Sequence, residues 1–273
     1  MGLRVGIVDY LNSRPLAWGF LTGRMPAELE ASYHPPARVA DLLAAGEIDV
    51  GLVPSIEVQR IPGLEVLPGM GVCASHEVRS VLLVSRCEPG EIRRLALDRN
   101  SRTSAALVRI LLADVWGVDP AVVTVPADLE SMLADADAAL IIGDPALRVD
   151  RSAYRVLDLA AGWRGLTGHP FVFAVWAVRA GVETAELGEL FHRSLALGLA
   201  EIDRIVTEAA AELDLPRGEM REYLTSNLGY RLGEDELQGL LEYYRRAASH
   251  GLLEEVRPLR LRRETRRSPS HEG

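Results

Sequence analysis

The chain of 273 residues contains no lysine, so arginine supplies all 30 of its basic side chains. Without lysine there can be no Schiff-base amine, no anchor for pyridoxal phosphate and no P-loop lysine. Acidic residues outnumber basic ones, and the net charge of −9 leaves no excess cation to neutralise nucleic-acid phosphates. The composition therefore argues against a nucleic-acid partner. It does not argue against an anionic ligand, because local arginines decide that.

Cysteines, metal-type histidine patterns and long apolar runs are also scarce. Cys73 and Cys87 are the only cysteines, and neither stands in a CxxC or metal-ligand spacing. The six histidines show no HExxH pattern. No apolar run approaches a membrane span, and the N-terminus reads into a strand without a signal-peptide pattern. We therefore expect a cytoplasmic protein with reduced thiols, no metal site and no membrane partner.

The pattern along the chain predicts an α/β protein with two lobes. Short apolar strands alternate with helical stretches, and the length suits two domains. Two long predicted strands, at 78–85 and 170–179, flank a complete α/β unit. This arrangement predicts a double crossover, with lobe 1 formed by residues 1–85 and 176–273 and lobe 2 by residues 86–175. A ligand cleft between the lobes follows, and the arginine-rich tail from Arg257 is expected to be a frayed end.

The tripeptide Asn-Ser-Arg occurs twice, each time after a predicted strand and at the start of a predicted helix. The two copies are Asn12-Ser13-Arg14 and Asn100-Ser101-Arg102. Each offers an amide, a hydroxyl, a guanidinium and free backbone N–H groups where the helix dipole favours an anion. Taken alone, each serine is equally a helix N-cap and each arginine a solvated surface residue. Their repetition in both halves favours a grip on a small molecule that carries two acidic groups.

Other polar residues also stand at predicted strand ends, beyond which ligands sit in open parallel sheets. These further candidates are Ser55, Arg79, Ser80, Thr103, Ser104, Gly143 and Asp144. Each of three residues also has a purely structural interpretation. Asp144 could form an Asx turn or cap, and Glu57 could be an exposed acid in the first turn of a helix. Ser104 could simply extend the start of the helix at Thr103. The convergence of these residues at strand ends is stronger support for a site than any one of them.

Several ordered segments resemble one enzyme family. They are DYLNSRPL, GLVPSIE, VRSVLLVSR, ALDRNSRTSAALVRILL, AALIIGDPAL, LTGHPFVFAVWAV and YLTSNLGYRLGEDELQGLLEYYRRAASHGL. Together they resemble the menaquinone-biosynthesis family of the futalosine route, over nearly the whole chain. DRNSRTS and IIGDPAL favour the branch that dehydrates chorismate over the sister dihydroxynaphthoate synthase, while His169 departs from the TGxPF pattern.

The resemblance implies a fold and a reaction. The fold is the two-lobed type II periplasmic-binding-protein fold, in agreement with the double crossover. The reaction is loss of water from chorismate, a dicarboxylate, to give 3-[(1-carboxyvinyl)oxy]benzoate without a metal or redox cofactor. A solute-binding protein for a small carboxylate is the alternative from another class, since fold alone does not separate enzyme from binder. The oligomeric state stays open, with a homodimer allowed.

The resemblance also suggests roles for the candidate residues. We expect Ser101, Arg102 and Thr103 to bind one carboxylate. Asn12 and Ser80 are expected near the departing hydroxyl, with Asn12, Ser80 and Asp144 as the catalytic candidates. The remaining expected substrate contacts are Ser13, Arg14, Ser55, Arg79, Ser104 and Gly143. The base is open between Asp144, Glu57 and the substrate's own enolpyruvyl carboxylate.

Overall fold

The computed structural model describes residues 2–182 and 186–263, in which strands and helices alternate as expected. The strands are β1 (Leu3–Val8), β2 (Leu29–His34), β3 (Val50–Pro54), β4 (Glu65–Ala74), β5 (Val81–Ser85), β6 (Arg94–Asp98), β7 (Ala121–Val125), β8 (Ala138–Ile142), β9 (Arg155–Asp158), β10 (Phe171–Val178) and β11 (Gly229–Leu232). The helices are α1 (Arg14–Leu21), α2 (Pro36–Ala45), α3 (Glu57–Arg60), α4 (Thr103–Trp116), α5 (Leu129–Ala134), α6 (Asp144–Leu147), α7 (Leu159–Thr167), α8 (Leu187–Ala200), α9 (Ile202–Leu213), α10 (Arg217–Glu222) and α11 (Glu234–Ser249). Short 3₁₀ turns occupy Leu11–Ser13 and Pro89–Glu91, and a π-helical turn occupies Tyr223–Asn227.

Two mixed sheets carry the fold, and they repeat one strand arrangement. The first sheet has the order β11-β4-β10-β3-β1-β2 and the second has the order β7-β6-β8-β5-β9. In each sheet three neighbouring strands are parallel, and an antiparallel strand follows them. β1 and β6 therefore hold equivalent central positions, and each leads into one copy of the Asn-Ser-Arg tripeptide. The two copies therefore hold equivalent places in the fold, and the double anion grip expected from the sequence stays a prediction.

Strand pairing places the two crossovers at residues 75–80 and 168–170. β5 pairs with β8 and β9, so it belongs to the second sheet, whereas all of β10 pairs within the first. The boundaries drawn from the sequence, at 85/86 and 175/176, instead assign β5 to lobe 1 and residues 171–175 of β10 to lobe 2. A continuous apolar run shows that a strand is buried but not which neighbours it pairs with. We propose residues 81–167 as lobe 2 and the remainder as lobe 1.

The lobes share one apolar core. β3, β5 and β8 are buried along their whole length, as expected for strands covered on both faces. The main cluster joins Leu52 of the first sheet to Leu97 of the second and includes Trp163 of α7. A smaller cluster, around Leu82 and Met132, covers the other face of the second sheet. No helix in the described ranges combines the length and apolarity needed to cross a membrane.

The start of the C-terminal tail packs against the first sheet, which contradicts the expected frayed end for residues 257–263. The Val66 N–H donates to the Arg260 carbonyl at 2.8 Å, and the Arg262 N–H donates to the Val66 carbonyl at 2.9 Å. Arg262 also pairs with Glu65 at 3.2 Å. β11 covers β4 only from position 69 onward, so the uncovered edge of β4 accepts the tail. Residues 264–273 lie outside the described residues.

Candidate active site

A cleft of about 560 Å³ lies where the carboxyl ends of central strands from both sheets converge. Its apolar walls are formed by Val8, Pro36, Leu52, Pro54, Val72, Val78, Val81, Ile142, Phe173 and Ala174. Its other lining residues are Tyr10, Asn12, Ser80, Asn100, Ser101, Arg102, Thr103, Ser104 and Gly143. The lining therefore combines a broad apolar surface with neutral hydrogen-bonding groups and one guanidinium, and it suits a ring with polar substituents.

Some of the residues expected to form the site lie outside this lining. They are Ser13, Arg14, Ser55, Arg79 and Asp144. Each of these side chains has a partner elsewhere in the protein, as the following contacts show.

Two hydroxyls in the cleft lining are buried without a partner. Ser80 is 0% exposed and Ser101 is 8% exposed. The Oγ atom of each has no hydrogen bond. Buried polar groups in proteins are nearly always hydrogen-bonded, and leaving one unpaired costs about 1–3 kcal/mol. Both hydroxyls are therefore suited to bind polar atoms of a ligand.

The backbone before Ser80 is held in a rare conformation. Arg79 has a φ of 62°, which is strained for a residue with a Cβ atom. The carboxylate of Asp158 accepts the N–H of Arg79 at 2.7 Å and the N–H of Val78 at 3.1 Å. Burial raises the pKa of Asp158, against the effect of these donors. The crossover therefore fixes Ser80 at the cleft, while the Arg79 side chain pairs with Glu219 at 3.2 Å.

Thr103 and Ser55 connect the lobes beside Ser101. The Thr103 Oγ1 accepts the N–H of Ile56 at 3.2 Å, and its carbonyl accepts the Tyr243 hydroxyl at 2.9 Å. Ser55 donates to the Val172 carbonyl at 2.7 Å, and its Oγ lies 3.4 Å from the Thr103 hydroxyl. Both hydroxyls are thus engaged in holding the lobes together, although Thr103 also lines the cleft.

Arg102 lines the cleft but already binds two carboxylates of lobe 1. Its guanidinium donates to Glu57 at 2.9 Å and also to Asp41. The Glu57 side chain is only 4% exposed and pairs with Arg60 at 3.0 Å as well. The expectation of an exposed first-turn acid at Glu57 is therefore wrong. Its burial depends on an arginine from the other lobe, which local sequence does not show.

Asp144 also connects the lobes. Its Oδ1 accepts the N–H of Leu11 at 3.0 Å, at the start of the 3₁₀ turn. Burial raises the pKa of Asp144, while the Leu11 hydrogen bond and the positive charge of Arg14 lower it. The side chain of Asp144 therefore caps the Leu11 turn of the other lobe and not, as the alternative from the sequence had it, its own turn.

The two Asn-Ser-Arg copies are shifted by one residue relative to their helices. Ser13 directly precedes α1, whereas Arg102 holds that position before α4. Ser13 donates to the carbonyls of Val8 and Tyr10, and Arg14 pairs with Glu212. Ser13 and Arg14 line a second pocket, of about 640 Å³. Of the first copy only Asn12 faces the cleft, while all three residues of the second copy do.

Gly143 and Tyr10 form a tight contact between the lobes. Gly143 has φ 67° and ψ −149°, a region that is essentially restricted to glycine. A Cβ atom at this position would lie 2.8 Å from the Tyr10 ring. Tyr10 lines the cleft but was not among the residues expected from the sequence, where only its position two residues before Asn12 pointed to it. Burial raises the pKa of Tyr10, and the charges of Asp98 and Asp144 add to that effect.

Asp98 is a second residue that sequence reasoning missed. It is 0% exposed at the end of β6, and burial raises its pKa. One carboxylate oxygen accepts the N–H of Asn100 at 2.9 Å, and the other has no partner. Asp98 lies behind the Asn100–Ser101 turn and is not part of the cleft lining.

Ionisable groups are scarce in the lining itself. Within the described residues, only Tyr10 and Arg102 bring a titratable side chain to the cleft, with no carboxylate or imidazole. The same ranges hold no group of three His, Cys, Asp or Glu side chains placed to bind a metal ion. The cleft therefore acts on a ligand mainly through hydroxyls, amides, backbone groups and one guanidinium.

Sequence comparison places this site in a known family. Residues 3–249 match a family described as menaquinone biosynthesis. The chain belongs to that family. A chorismate dehydratase from Thermus thermophilus is 29% identical over 224 residues, which span 75% of this chain and 82% of that protein. A chorismate dehydratase from Campylobacter jejuni is 30% identical over 176 residues, or 62% of this chain and 64% of that protein.

Solved structures show the fold of this menaquinone-biosynthesis family member. Protein AF1704 from Archaeoglobus fulgidus superposes with a TM-score of 0.77 at 18% identity, covering 92% of this chain and 98% of that one. The periplasmic aliphatic sulphonate binding protein SsuA from Escherichia coli gives 0.65 at 17% identity, covering 100% and 98%. The fold is therefore the two-lobed periplasmic-binding-protein fold, as expected from the sequence.

Proposed function

We propose that the protein is a chorismate dehydratase, a hydro-lyase that removes water from chorismate to give 3-[(1-carboxyvinyl)oxy]benzoate. The main support is a cleft with apolar walls, neutral donors and the Arg102 guanidinium but no carboxylate or imidazole in its described lining. Such a site suits a substrate that brings its own carboxylates. The family supports this reaction over the solute-binding alternative, and the two dehydratase relatives support it over the sister synthase.

Ser101 and the start of α4 are proposed to hold one substrate carboxylate. The Ser101 hydroxyl is buried and unpaired, and α4 is a helix of 14 residues whose first N–H groups face an anion favourably. Arg102 adds positive charge, but part of its donor fork is bound to Glu57 and Asp41. Ser104 lies beside it in the lining, and Thr103 holds this turn against lobe 1.

The proposed elimination begins with loss of the ring proton beside the ether oxygen. The electron pair left by that C–H bond spreads into the ring carboxylate. Donors aimed at that carboxylate lower the barrier, and one such donor contributes about 3–4 kcal/mol. The C–O bond to the neighbouring hydroxyl then breaks, the oxygen takes up the proton and leaves as water, and the ring becomes aromatic.

The substrate's enolpyruvyl carboxylate is the base we favour. Asp144 faces the Leu11 N–H outside the lining, and Glu57 is engaged by Arg60 and Arg102. Neither carboxylate is free in the cleft, whereas the substrate carries one close to the proton that leaves. Asn12 and Ser80 line the cleft and are proposed to donate to the departing hydroxyl.

The other expected contacts are proposed to support the site from outside the lining. Ser13 closes the turn that presents Asn12, and Arg14 ties the start of α1 to Glu212 of α9. Ser55 holds the end of β3 to β10, and Arg79 ties the crossover before Ser80 to α10. A cytoplasmic location, the lack of a cofactor and a homodimer stay predictions from the sequence.

Incubation of the purified protein with chorismate, followed by chromatography, tests this proposal. We expect chorismate to disappear and an aromatic dicarboxylic acid to accumulate. Ser80→Ala and Ser101→Ala should lower kcat by about 10²–10³. Ser85→Ala is the matched control, because Ser85 is a buried serine of β5 that donates to the Cys87 carbonyl at 2.8 Å, outside the cleft lining. Absence of product, or equal turnover by all three variants, would contradict the proposal, and binding of chorismate without turnover would favour a solute-binding role.

A further inference from the structure

A second buried hydroxyl stands next to Ser80. Tyr223 is 0% exposed, lies outside the cleft lining and carries a hydroxyl that has no hydrogen bond. Unpaired buried hydroxyls are costly, as for Ser80 itself. A full tyrosine side chain with an unused donor, buried beside a site residue, therefore calls for a functional explanation.

An ion pair places α10 beside the crossover that carries Ser80. Glu219 of α10 pairs with Arg79, the residue before Ser80, at 3.2 Å. Tyr223 follows Glu219 by four residues, so both side chains project from the same side of the continuing helix. Burial raises the pKa of Tyr223, and the neighbouring Ser80 hydroxyl opposes that effect, which is consistent with this placement.

Tyr223 also begins the π-helical turn Tyr223–Asn227. Such widened turns often occur at functional sites, because they displace side chains from regular helical positions. Here the turn ends where the Leu228 N–H donates to the Tyr223 carbonyl at 3.1 Å. The backbone of Tyr223 is therefore fixed, and its hydroxyl is held near the crossover.

We propose that Tyr223 is a positioning residue for the dehydration: its hydroxyl donates to Ser80 Oγ and thereby directs the Ser80 proton into the cleft. A serine hydroxyl rotates freely unless a partner orients it. A hydrogen bond accepted by Ser80 Oγ both sets the rotor and strengthens Ser80 as a donor. Catalytic hydrogen bonds are often loose without substrate and shorten in the complex. This inference rests on the proposed function, since it assigns Ser80 its orientation toward the departing hydroxyl.

Tyr223→Phe removes the hydroxyl and keeps the ring, so it tests this role directly. We expect kcat to fall about five- to tenfold, the effect of one hydrogen bond, with little change in KM. The thermal midpoint should stay level or rise, since an unpaired buried hydroxyl is lost. Tyr230→Phe is the control for the loss of a buried, unpaired hydroxyl: Tyr230 lies outside the lining and interacts with Tyr223, but within the described residues it shows no interaction with Ser80. Its kcat should match the wild type.

A double-mutant cycle separates positioning from a structural effect. In a Ser80→Ala background, Tyr223→Phe should cause no further loss of kcat, because the group that it orients is gone. Glu219→Gln, at a half-exposed site, should loosen α10 and give a smaller loss with the same dependence on Ser80, even if Tyr223→Phe fails to fold. If the wild type is active and Tyr223→Phe has the same kcat, this inference is wrong and the proposed function stands. The same holds if the losses in kcat from the two substitutions are additive. A wild-type protein that does not consume chorismate overturns the proposed function and this inference together.

Discussion

Replacement of Gly143 by alanine is expected to damage the contact between the lobes. The backbone angles of Gly143, φ 67° and ψ −149°, lie in a region where a Cβ atom costs about 1–3 kcal/mol. The added carbon would lie 2.8 Å from the Tyr10 ring, and overpacking of this kind costs about 1–3 kcal/mol more. We therefore expect Gly143→Ala to lose about 2–6 kcal/mol of unfolding free energy. Turnover should also fall, because Tyr10 and Gly143 both line the cleft.

Gly117 supplies the matched control for this change. Its φ of 66° is nearly the same, but nothing lies within 4 Å of a Cβ atom at that position. Gly117→Ala should therefore lower the unfolding free energy only by the left-handed backbone penalty of about 1–2 kcal/mol, and the variant should keep its activity. Urea unfolding and chorismate turnover of both variants provide the comparison. If the two variants lose the same stability and Gly143→Ala keeps normal turnover, the contact between Gly143 and Tyr10 does not hold the lobes as described.

Two further changes test electrostatic contacts. Arg102→Met should lower the unfolding free energy by about 1–3 kcal/mol in urea, because it removes a partner of the buried Glu57; a variant as stable as wild type would contradict the bridge. Hydrogen bonds from Arg245 and Arg246 lower the pKa of Glu242 from 4.5 to about 2. Its ionised form therefore stabilises the fold above pH 4.5, and this contribution is lost as the pH falls toward 2. The stability difference between wild type and Glu242→Gln should shrink over that range, and a constant difference would show that the ion pairs do not contribute.

The architecture was predictable because its signals are local. Apolar strands alternating with helices indicate an α/β fold in any chain, and the flanking crossovers indicated two lobes. The sheet memberships of β5 and of residues 171–175 were not predictable, since pairing partners lie far away in sequence. The same limit explains the tail, where Arg262 binds Val66 and Glu65, and Glu65 lies 197 residues earlier in the chain.

The sequence predicted that the candidate site lies at strand ends, but not which of the side chains there face the cleft. Ser13 and Ser101 share the same neighbours in sequence, yet a shift of one residue turns Ser13 into the scaffold and Ser101 into the cleft. Asp144 forms no local turn cap, because its carboxylate accepts the N–H of Leu11 in the other lobe, a partner that local sequence does not show. Tyr223 gave no signal, because only the folded chain brings it next to Ser80.

We propose that the cleft dehydrates chorismate without an ionisable side chain of the protein acting as base. Mass spectrometry of the wild-type protein incubated with chorismate, with Asp144→Asn and Glu57→Gln run in parallel, is the decisive experiment. We expect a product lighter than chorismate by one water, formed by all three proteins with kcat values within about one order of magnitude. If the wild type forms no such product, or if either variant folds but forms none, the proposal is wrong.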